Sequence, residues 1–228
     1  MWSLYQYIAN ASSGAFGAGF PKVLRDYEAM LAPSMAKLGV TRAFEKSPEP
    51  AYTLNCPNAV CRYHKDHKNR ALGACLVCCG GKFNPTTGGH FVLPELKLAI
   101  EFPPGSILAF PSAVLAHGNL PVKSGERRFS FTQYAAGGWF HWVEFNHQTS
   151  DKLKETNPTL HGILTSKKHR TEAGPKQLMY LSRIENLRED RRVYGARALR
   201  GKSAFGQPLR FAIKSVCLRR STFPSCDG

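Results

Sequence analysis

The chain has 228 residues, 43% of them hydrophobic, and a formal net charge of +15. That length and composition are typical of one sizeable globular domain with a buried core and room for an appendage. No run of about eighteen or more apolar residues occurs, which excludes a helical membrane span. The N-terminal segment MWSLYQYIANASSGAFGAGF has no basic region and no long apolar stretch, so it does not resemble a secretory signal.

The positive charge is concentrated towards the C-terminus. Residues 151–228 hold 17 Lys and Arg against 7 Asp and Glu, whereas residues 1–150 hold 14 against 9. A protein with a pI of about 9.7 has an electrostatic reason to bind polyanions, nucleic acid foremost. A basic tail that only adds solubility is the alternative, and charge alone does not separate the two.

Residues 21–40 are predicted to form a helix that Pro33 interrupts. The apolar residues that keep helical spacing before this proline are Val23, Leu24, Tyr27, Met30 and Leu31. A short polar stretch then leads into AYTLNCPNAVCRYHKDHKN, which contains β-forming residues. Because Pro57 argues against a helix through this segment, we predict strand ends and turns there.

Between Gly73 and Phe145 the chain is a series of short apolar runs separated by glycine and proline turns. Short strands at this spacing, without a long amphipathic helix, indicate an all-β core of sandwich or barrel type. We therefore predict a mainly β fold with flanking helices. Jelly rolls and cupins are the double-sheet form of that architecture.

The pattern changes beyond residue 150. HGILTSKKHRTEAGPK, residues 161–176, is predicted to be a loop, and residues 177–199 have helical spacing with arginines on the other faces. Those arginines are candidates for phosphate contacts, and a solvated helix face is the alternative. The last residues show no pattern, and we assign them no structure. The predicted organisation is a domain over residues 1–150, with an N-terminal helical segment, and a basic extension over residues 151–228.

The seven cysteines do not form a disulfide or zinc-finger pattern. Cys75 and Cys78 make a CxxC motif, with Cys56 and Cys61 upstream, so a zinc site is one interpretation. However, LGACLVCCGG is typical of an apolar strand that ends in a glycine turn, and no second CxxC or CxxH follows. Buried free thiols are therefore the favoured prediction.

The densest group of metal-binding side chains lies in CRYHKDHKN, residues 61–69. His64 and His67 would share a face on a helix, whereas His64 and Asp66 would share a face on an extended strand. A solvated basic loop is the alternative, and a bare HxD pattern would favour it. Because a helix is disfavoured here, the pairing of His64 with Asp66 is the stronger prediction.

His117 is the candidate third ligand. It follows an apolar strand in PSAVLAHGNLPV and precedes a Gly-Asn turn, so we expect it at the mouth of a strand. Two histidines and one carboxylate form the facial triad of non-heme Fe(II) oxygenases. That triad leaves coordination positions open for a co-substrate and dioxygen.

A candidate carboxylate clamp follows in GERRFSFTQY. Alternation along a strand would place Arg128, Ser130 and Thr132 on one side, with the two phenylalanines on the other side and Arg127 facing outward. An arginine fork beside a serine hydroxyl suits a carboxylate. An Fe(II) site with such a clamp nearby suggests a 2-oxo acid as co-substrate.

Three blocks carry a resemblance to a known family: HKDHKN, GGHFVLPELKLAIEFPPGSILAFPSAVLAHGNLPV and GERRFSFTQYAAGGWFHWVEF. They resemble the fungal, basidiomycete branch of the TET and J-binding-protein class of Fe(II)/2-oxoglutarate-dependent dioxygenases, over roughly residues 10–145. The resemblance implies a double-stranded β-helix as the oxygenase core. The site residues it implies are His64, Asp66 and His117 for Fe(II), and Arg128 with Ser130 for 2-oxoglutarate.

The resemblance also implies a reaction and a partner. The substrate would be a methylated base, foremost 5-methylcytosine in DNA, extruded to reach the iron and hydroxylated with O2 and 2-oxoglutarate. A DNA substrate implies a nuclear location, with the cytoplasm as the alternative. Two alternatives from other classes are a 2-oxoglutarate-dependent hydroxylase of protein or small molecules, and a catalytically silent nucleic-acid-binding relative.

Three further residues keep two interpretations each. Asn69 is a candidate ligand of the co-substrate or of a base edge, and a turn-stabilising asparagine is equally plausible. Trp139 and Trp142 are candidates for stacking on a flipped base, although aromatic residues in a strand are more often core.

Overall fold

The computed structural model describes residues 2–166 together with residues 215–216. The α-helices within these residues are α1 (Trp2–Gly19), α2 (Pro21–Leu38), α3 (Gly137–Glu144), α4 (Ser150–Thr156) and α5 (Pro158–Thr165). The strands are β1 (Ala51–Asn55), β2 (Cys75–Lys82), β3 (Phe91–Leu93), β4 (Leu98–Ile100), β5 (Ile107–Phe110), β6 (Gly118–Asn119), β7 (Arg127–Tyr134) and β8 (Ser215–Val216). A short 3₁₀ turn, Pro94–Leu96, separates β3 from β4.

The strands form two antiparallel sheets, ordered β1-β7-β2-β5 and β6-β3-β4-β8. A backbone bridge between His64 and His117 adds the HKD segment beside the start of β6. Eight strands result when the HKD segment is counted as a strand and β8 is left out. Renumbered 1 to 8 in chain order, with the HKD segment as strand 2, they form sheets of order 1-8-3-6 and 2-7-4-5. This is the interleaved order of a jelly roll, with β8 added at the edge beside β4. The predicted mainly β fold with a double-stranded β-helix core is confirmed.

The two sheets pack face to face over one hydrophobic core. Alternate residues of β2, namely Cys75, Val77 and Cys79, lie between the sheets and pack in a cluster with Phe91 of β3 and Phe110 of β5. Their side chains share a face because successive residues of a strand point to opposite sides. The functional side chains described below lie at one end of this interior.

The helices cover the outer face of the first sheet. Leu76 of β2 packs there against Phe16 of α1 and Tyr27 of α2, and Phe140 of α3 belongs to the same cluster. Phe131 of β7 is 2% exposed and packs in a neighbouring cluster on this face. Because Phe131 points to the helices, its neighbours in β7 point to the space between the sheets.

The N-terminal helices differ from the prediction in two ways. Helix α1 was not predicted, and α2 continues through Pro33 to Leu38 instead of being interrupted. Leu31 and Met35 are buried on either side of the proline, so packing of both turns outweighs the backbone hydrogen bond that the proline removes. Helix α2 ends at Gly39, whose φ of 65° is the left-handed conformation that glycine adopts freely.

One prediction for the region after β7 is wrong, and a second, the loop over residues 161–176, is wrong over residues 161–165, while residues 167–176 lie outside the described residues. The residues GGWFHWVE form helix α3 rather than a strand, because Phe140 completes the cluster under α2 while Trp139 donates from Nε1 to Ser34 Oγ at 2.8 Å. The predicted loop over residues 161–176 begins inside helix α5. The Asn157 side chain accepts from the backbone N–H of Leu160 and caps this helix.

The C-terminal predictions fall largely on residues that the structure does not describe. The helix predicted over residues 177–199 lies outside them, as do Cys217 and Cys226. Residues 215–216 had been assigned no structure, and they form strand β8. No helix within the described residues combines the length and apolarity needed to cross a membrane.

The cysteines of the CxxC motif are buried free thiols, as predicted. Cys75 faces the interior between the sheets, whereas Cys78 packs on the opposite side of β2 with Phe131. Residues three apart on a strand cannot converge on one ion. Within the described part of the chain, the group of three or more metal-binding residues that comes together contains no cysteine.

Candidate metal centre and anion pocket

His64 and His117 are brought together by backbone pairing. The N–H of His64 donates to the carbonyl of His117 at 3.0 Å, and the N–H of His117 donates to the carbonyl of His64 at 2.9 Å. Residues that exchange both hydrogen bonds in an antiparallel pair carry their side chains on the same face. Asp66 follows on that face two residues later, and its N–H donates to the carbonyl of Ser112 at 3.0 Å.

The three side chains converge as a candidate ligand set. One ligand atom from each of His64, Asp66 and His117 lies within 4.8 Å of the others. His64 Nε2 is 3.5 Å from Asp66 Oδ1, and His117 Nε2 is 3.8 Å from Asp66 Oδ2. The structure therefore places together the three residues predicted as metal ligands, with His64 paired to Asp66 rather than to His67.

The hydrogen bonds of both imidazoles leave Nε2 available for a metal. His64 Nδ1 lies 2.8 Å from the carbonyl of Arg62, and His117 Nδ1 lies 3.0 Å from the carbonyl of Leu115. A carbonyl only accepts, so Nδ1 is the donor in each contact, and deprotonation for metal binding falls to Nε2 in both rings. Burial lowers the pKa of His117, which favours the neutral ring that a metal ligand must be.

Aromatic rings form the buried side of the metal centre. His117 is 7% exposed; its ring stacks on Phe91 at 5.9 Å and meets Phe110 edge-on at 4.7 Å between ring centroids. These contacts restrict the imidazole to one orientation. His64 is more exposed and faces the opening of the cavity described below.

Asn69 and Ser112 support the carboxylate. Asn69 Nδ2 donates to Asp66 Oδ2 at 3.2 Å and to Ser112 Oγ at 3.1 Å. The N–H of Asn69 also donates to the carbonyl of Asp66 at 2.8 Å, which closes a tight turn. The turn interpretation of Asn69 is thus present in the structure, and its side chain orients Asp66. Partners of this kind hold metal-binding carboxylates in position.

A cavity of about 750 Å³ contains the three candidate ligands and the candidate clamp. This volume is in the range of small-molecule sites. Arg128, Ser130 and Thr132 line it from one face of β7, as alternation predicted, while Arg127 is exposed. The lining also includes Asn69 and the basic residues Lys65, His67 and Lys68.

Arg128 is a buried cation without a carboxylate partner among the described residues. It is 5% exposed, and its Nε has no hydrogen-bond partner. Its guanidinium does hydrogen-bond to Cys79, but burial raises the pKa of that thiol to about 11, so the thiol is neutral. A buried charge of this kind is costly unless an anion pairs with it. The cavity therefore contains the elements of an anion pocket.

The backbone around Arg128 is held by a residue that the sequence patterns did not single out. Asn58 donates its N–H to the carbonyl of Arg128 at 2.7 Å and accepts the N–H of Arg128 at Oδ1 at 2.8 Å. Asn58 has a φ of 62°, a conformation that asparagine tolerates better than most residues. The Pro57-Asn58 dipeptide is a turn signal in the sequence, but its partner 70 residues away is not readable from it.

The two tryptophans lie away from the cavity. Trp139 packs among the helices on the outer face of the first sheet, which agrees with the core interpretation. Trp142 lines a separate depression beside α4 and α5. Neither side chain lines the cavity that contains Arg128 and the candidate metal ligands.

Comparison with known proteins gives partial structural overlaps. No protein-family model matches the chain, and no curated protein matches it. A solved structure, NgTET1 in complex with 5mC DNA, is similar at 16% identity and a TM-score of 0.47, over 57% of this chain and 48% of that one. The chain thus matches about half the length of NgTET1.

A second solved structure with partial similarity is the viral collagen prolyl hydroxylase vCPH from Paramecium Bursaria Chlorella virus-1, in its 2OG complex. Identity is 22% and the TM-score 0.27, over 38% of this chain and 62% of that one. These overlaps are limited, so the functional inference below rests on the geometry of the chain itself.

Proposed function

We propose that this protein is an Fe(II)- and 2-oxoglutarate-dependent dioxygenase that hydroxylates a methylated base, foremost 5-methylcytosine in DNA. The observation that carries the proposal is one cavity containing two different binding elements. One is the set of His64, Asp66 and His117, and the other is the buried Arg128, which has no carboxylate partner among the described residues. An ion with open positions and a separate anion anchor are what a chelating dicarboxylate requires.

The residues present fit both groups. Two neutral imidazoles and one carboxylate are the donor set of non-heme Fe(II) oxygenases, and His64, Asp66 and His117 would hold the ion. Arg128, whose Nε has no partner, would bind the distal carboxylate of 2-oxoglutarate beside Ser130. When bound, iron and co-substrate supply the activation of O2 that hydroxylation of a C–H bond needs.

The remaining residues of the site orient these groups. The carbonyls of Arg62 and Leu115 engage the Nδ1 atoms and so would leave both Nε2 atoms to hold the ion, and Asn69 donates to one carboxylate oxygen of Asp66. We assign Asn69 to this supporting role rather than to direct contact with the co-substrate. The aromatic rings of Phe91 and Phe110 pack on His117 and would shield the buried side of the site from water when the ion is bound.

The proposed substrate follows from charge and from the family resemblance of the sequence. The chain carries a net charge of +15, and Lys65, His67 and Lys68 line the cavity that would receive an extruded base. In this proposal residues 1–150 are the oxygenase domain, and the basic residues 151–228 add phosphate contacts. Action on genomic DNA would place the protein in the nucleus.

The experiment that tests this function is mass spectrometry of nucleosides from 5-methylcytosine duplex DNA incubated with protein, Fe(II), 2-oxoglutarate and air. Succinate is measured in the same tubes, and the His117→Ala variant is the matched control. Hydroxymethylated or further oxidised cytosine with wild-type protein alone supports metal, co-substrate and substrate together. Succinate without modified cytosine would support the oxygenase and exclude 5-methylcytosine. Formation of neither product by iron-loaded protein would overturn the proposed activity on 5-methylcytosine and favour a nucleic-acid-binding relative or a hydroxylase of another substrate.

A further inference from the structure

Asn55 of β1 lies directly beside Ser130 of β7. The two residues are partners in the β1–β7 ladder, and Asn55 Nδ2 donates to Ser130 Oγ at 3.0 Å. Both line the cavity together with Arg128, which lies two residues before Ser130 on the same face of β7. Ser130 is 6% exposed, so water does not freely satisfy its hydroxyl.

The bond from Asn55 restricts what the serine hydroxyl can do. A hydroxyl has one proton to donate and two lone pairs that accept. Asn55 occupies a lone pair, and the hydroxyl donates no hydrogen bond to any of the described residues. A buried hydroxyl that lacks an acceptor is costly, and an acceptor that enters the cavity removes that cost.

We propose that Asn55 is a positioning residue that makes Ser130 a hydrogen-bond donor towards the cavity. The pocket then presents a guanidinium and a hydroxyl proton side by side, a combination that selects an ionised carboxylate over a neutral group. The identity of that carboxylate as 2-oxoglutarate rests on the proposed function. Asn55 itself touches the serine and not the co-substrate.

The exchange of Asn55 for aspartate reverses the polarity of this contact. A carboxylate at residue 55 accepts the Ser130 proton, which leaves only lone pairs facing the ligand. It also adds a negative charge beside an anion pocket. Asn55→Asp is therefore expected to be more damaging than Asn55→Ala, although its shape is closer to the natural side chain. The added charge alone weakens anion binding, so the effect of Asn55→Ala and its non-additivity with Ser130→Ala are what separate positioning from a merely structural role.

The experiment measures 2-oxoglutarate affinity by calorimetry on Mn(II)-loaded protein, together with KM and kcat for 2-oxoglutarate on the Fe(II) enzyme. Asn55→Ala is expected to raise both Kd and KM about tenfold with kcat within about twofold, and Asn55→Asp about a hundredfold. Leu54→Ala, in the same strand but on its outward face and outside the cavity lining, is the control and is expected to match wild type. Added to Ser130→Ala, Asn55→Ala should have little further effect.

The results separate failure of this inference from failure of the proposed function. Wild-type affinity for 2-oxoglutarate in Asn55→Ala would overturn the role of Asn55 alone. An Asn55→Ala effect that adds in full to that of Ser130→Ala would do the same, since it would not act through the serine. If Mn(II)-loaded wild-type protein binds no 2-oxoglutarate, the proposed co-substrate is wrong, and the inference falls with it.

Discussion

His64 and His117 are metal-ligand candidates that also hold each other's backbone, through hydrogen bonds of 3.0 and 2.9 Å. This pairing joins the HKD segment to the second sheet next to β6. The candidate metal centre is thus part of the sheet ladder rather than of a separate loop. An ion bound there would link the HKD segment to β6 a second time, through side chains, so metal binding should stabilise the fold.

His117→Ala and His64→Ala should each abolish the rise in melting temperature that Mn(II) or Co(II) gives the wild-type protein. Each variant removes one of the three ligand atoms that converge within 4.8 Å. The measurement is thermal unfolding with and without metal. His67→Ala is the matched control, because His67 lines the cavity but is not part of the ligand group. Full metal stabilisation of His117→Ala would contradict the ligand assignment.

Asn69→Ala should weaken metal binding about 10–100-fold, the usual effect of removing a partner of a ligand. The reason is the loss of the 3.2 Å hydrogen bond that holds Asp66 Oδ2. Metal affinity is measured by competition with a chelator, and 2-oxoglutarate affinity is measured at saturating metal. Unchanged metal affinity with weakened 2-oxoglutarate binding would instead support the role as a co-substrate ligand that the sequence suggested.

Gly81→Ala should destabilise the protein by about 1–3 kcal/mol and weaken 2-oxoglutarate binding. Gly81 has a φ of 121°, pairs with Arg128 in the β2–β7 ladder, and a Cβ there would overlap the carbonyl oxygen of Arg127. Backbone at Arg128 must therefore move. Gly138→Ala is the control: a Cβ there meets no atom within 4 Å, so the helix should keep or gain stability. Chemical denaturation measures the free energy of unfolding of both variants, and equal values for Gly81→Ala and wild type would contradict the prediction.

The positions of the candidate metal ligands and of the candidate clamp were predictable because their signals are local. His64 and Asp66 follow the period of two in an extended segment, and Arg128 alternates with the phenylalanines of β7. A period of two fixes which face a residue occupies without knowledge of its partners. An all-β core was equally accessible, since short apolar runs between turns recur along residues 73–134, whereas the double-stranded β-helix was predicted from the family resemblance.

Features that depend on distant contacts were not predictable. Helix α3 contains aromatic residues that suit a strand, and only its packing under α2 makes it a helix. Pro33 looked like a helix end, but buried residues on both sides keep α2 continuous. Asn55, Asn58 and Ser112 act on partners far away in sequence, so their roles became visible only in the folded chain.

Glu49→Gln should remove a loss of stability that grows with pH. Glu49 is 3% exposed, and neither carboxylate oxygen has a hydrogen-bond partner among the described residues. Burial raises the pKa of Glu49 well above its ordinary value, and Arg42 offsets this only in part. The folded protein therefore holds the proton at pH values where the unfolded chain has released it.

The sign of the effect follows from linkage. The contribution of protonated Glu49 to the free energy of unfolding is fully present below the ordinary glutamate pKa. It is lost as the pH rises towards the raised pKa of the folded state. Glu49→Gln should thus be more stable than wild type at pH 8, by about 1–3 kcal/mol, the cost of an unsatisfied buried group, and the gain should shrink at pH 4. Denaturant unfolding across this range measures it. Glu45→Gln, an exposed neighbour, is the control, and parallel pH curves for Glu49→Gln and wild type would refute the prediction.

Lys68→Ala should weaken binding to duplex DNA and lower the slope of log K against log salt concentration by about 1, the change expected for one phosphate contact. Lys68 is exposed, lines the cavity and has no ion pair among the described residues, whereas neighbouring Lys65 pairs with Glu95 at 2.6 Å. Lys68 is therefore a cation at this opening that can meet a phosphate without first breaking an ion pair with another described residue. Fluorescence anisotropy over a salt series measures the slope, with Lys152→Ala as control, because Lys152 pairs with Glu155 on α4. Equal slopes for Lys68→Ala and Lys152→Ala would mean that DNA does not approach the protein over this side of the cavity.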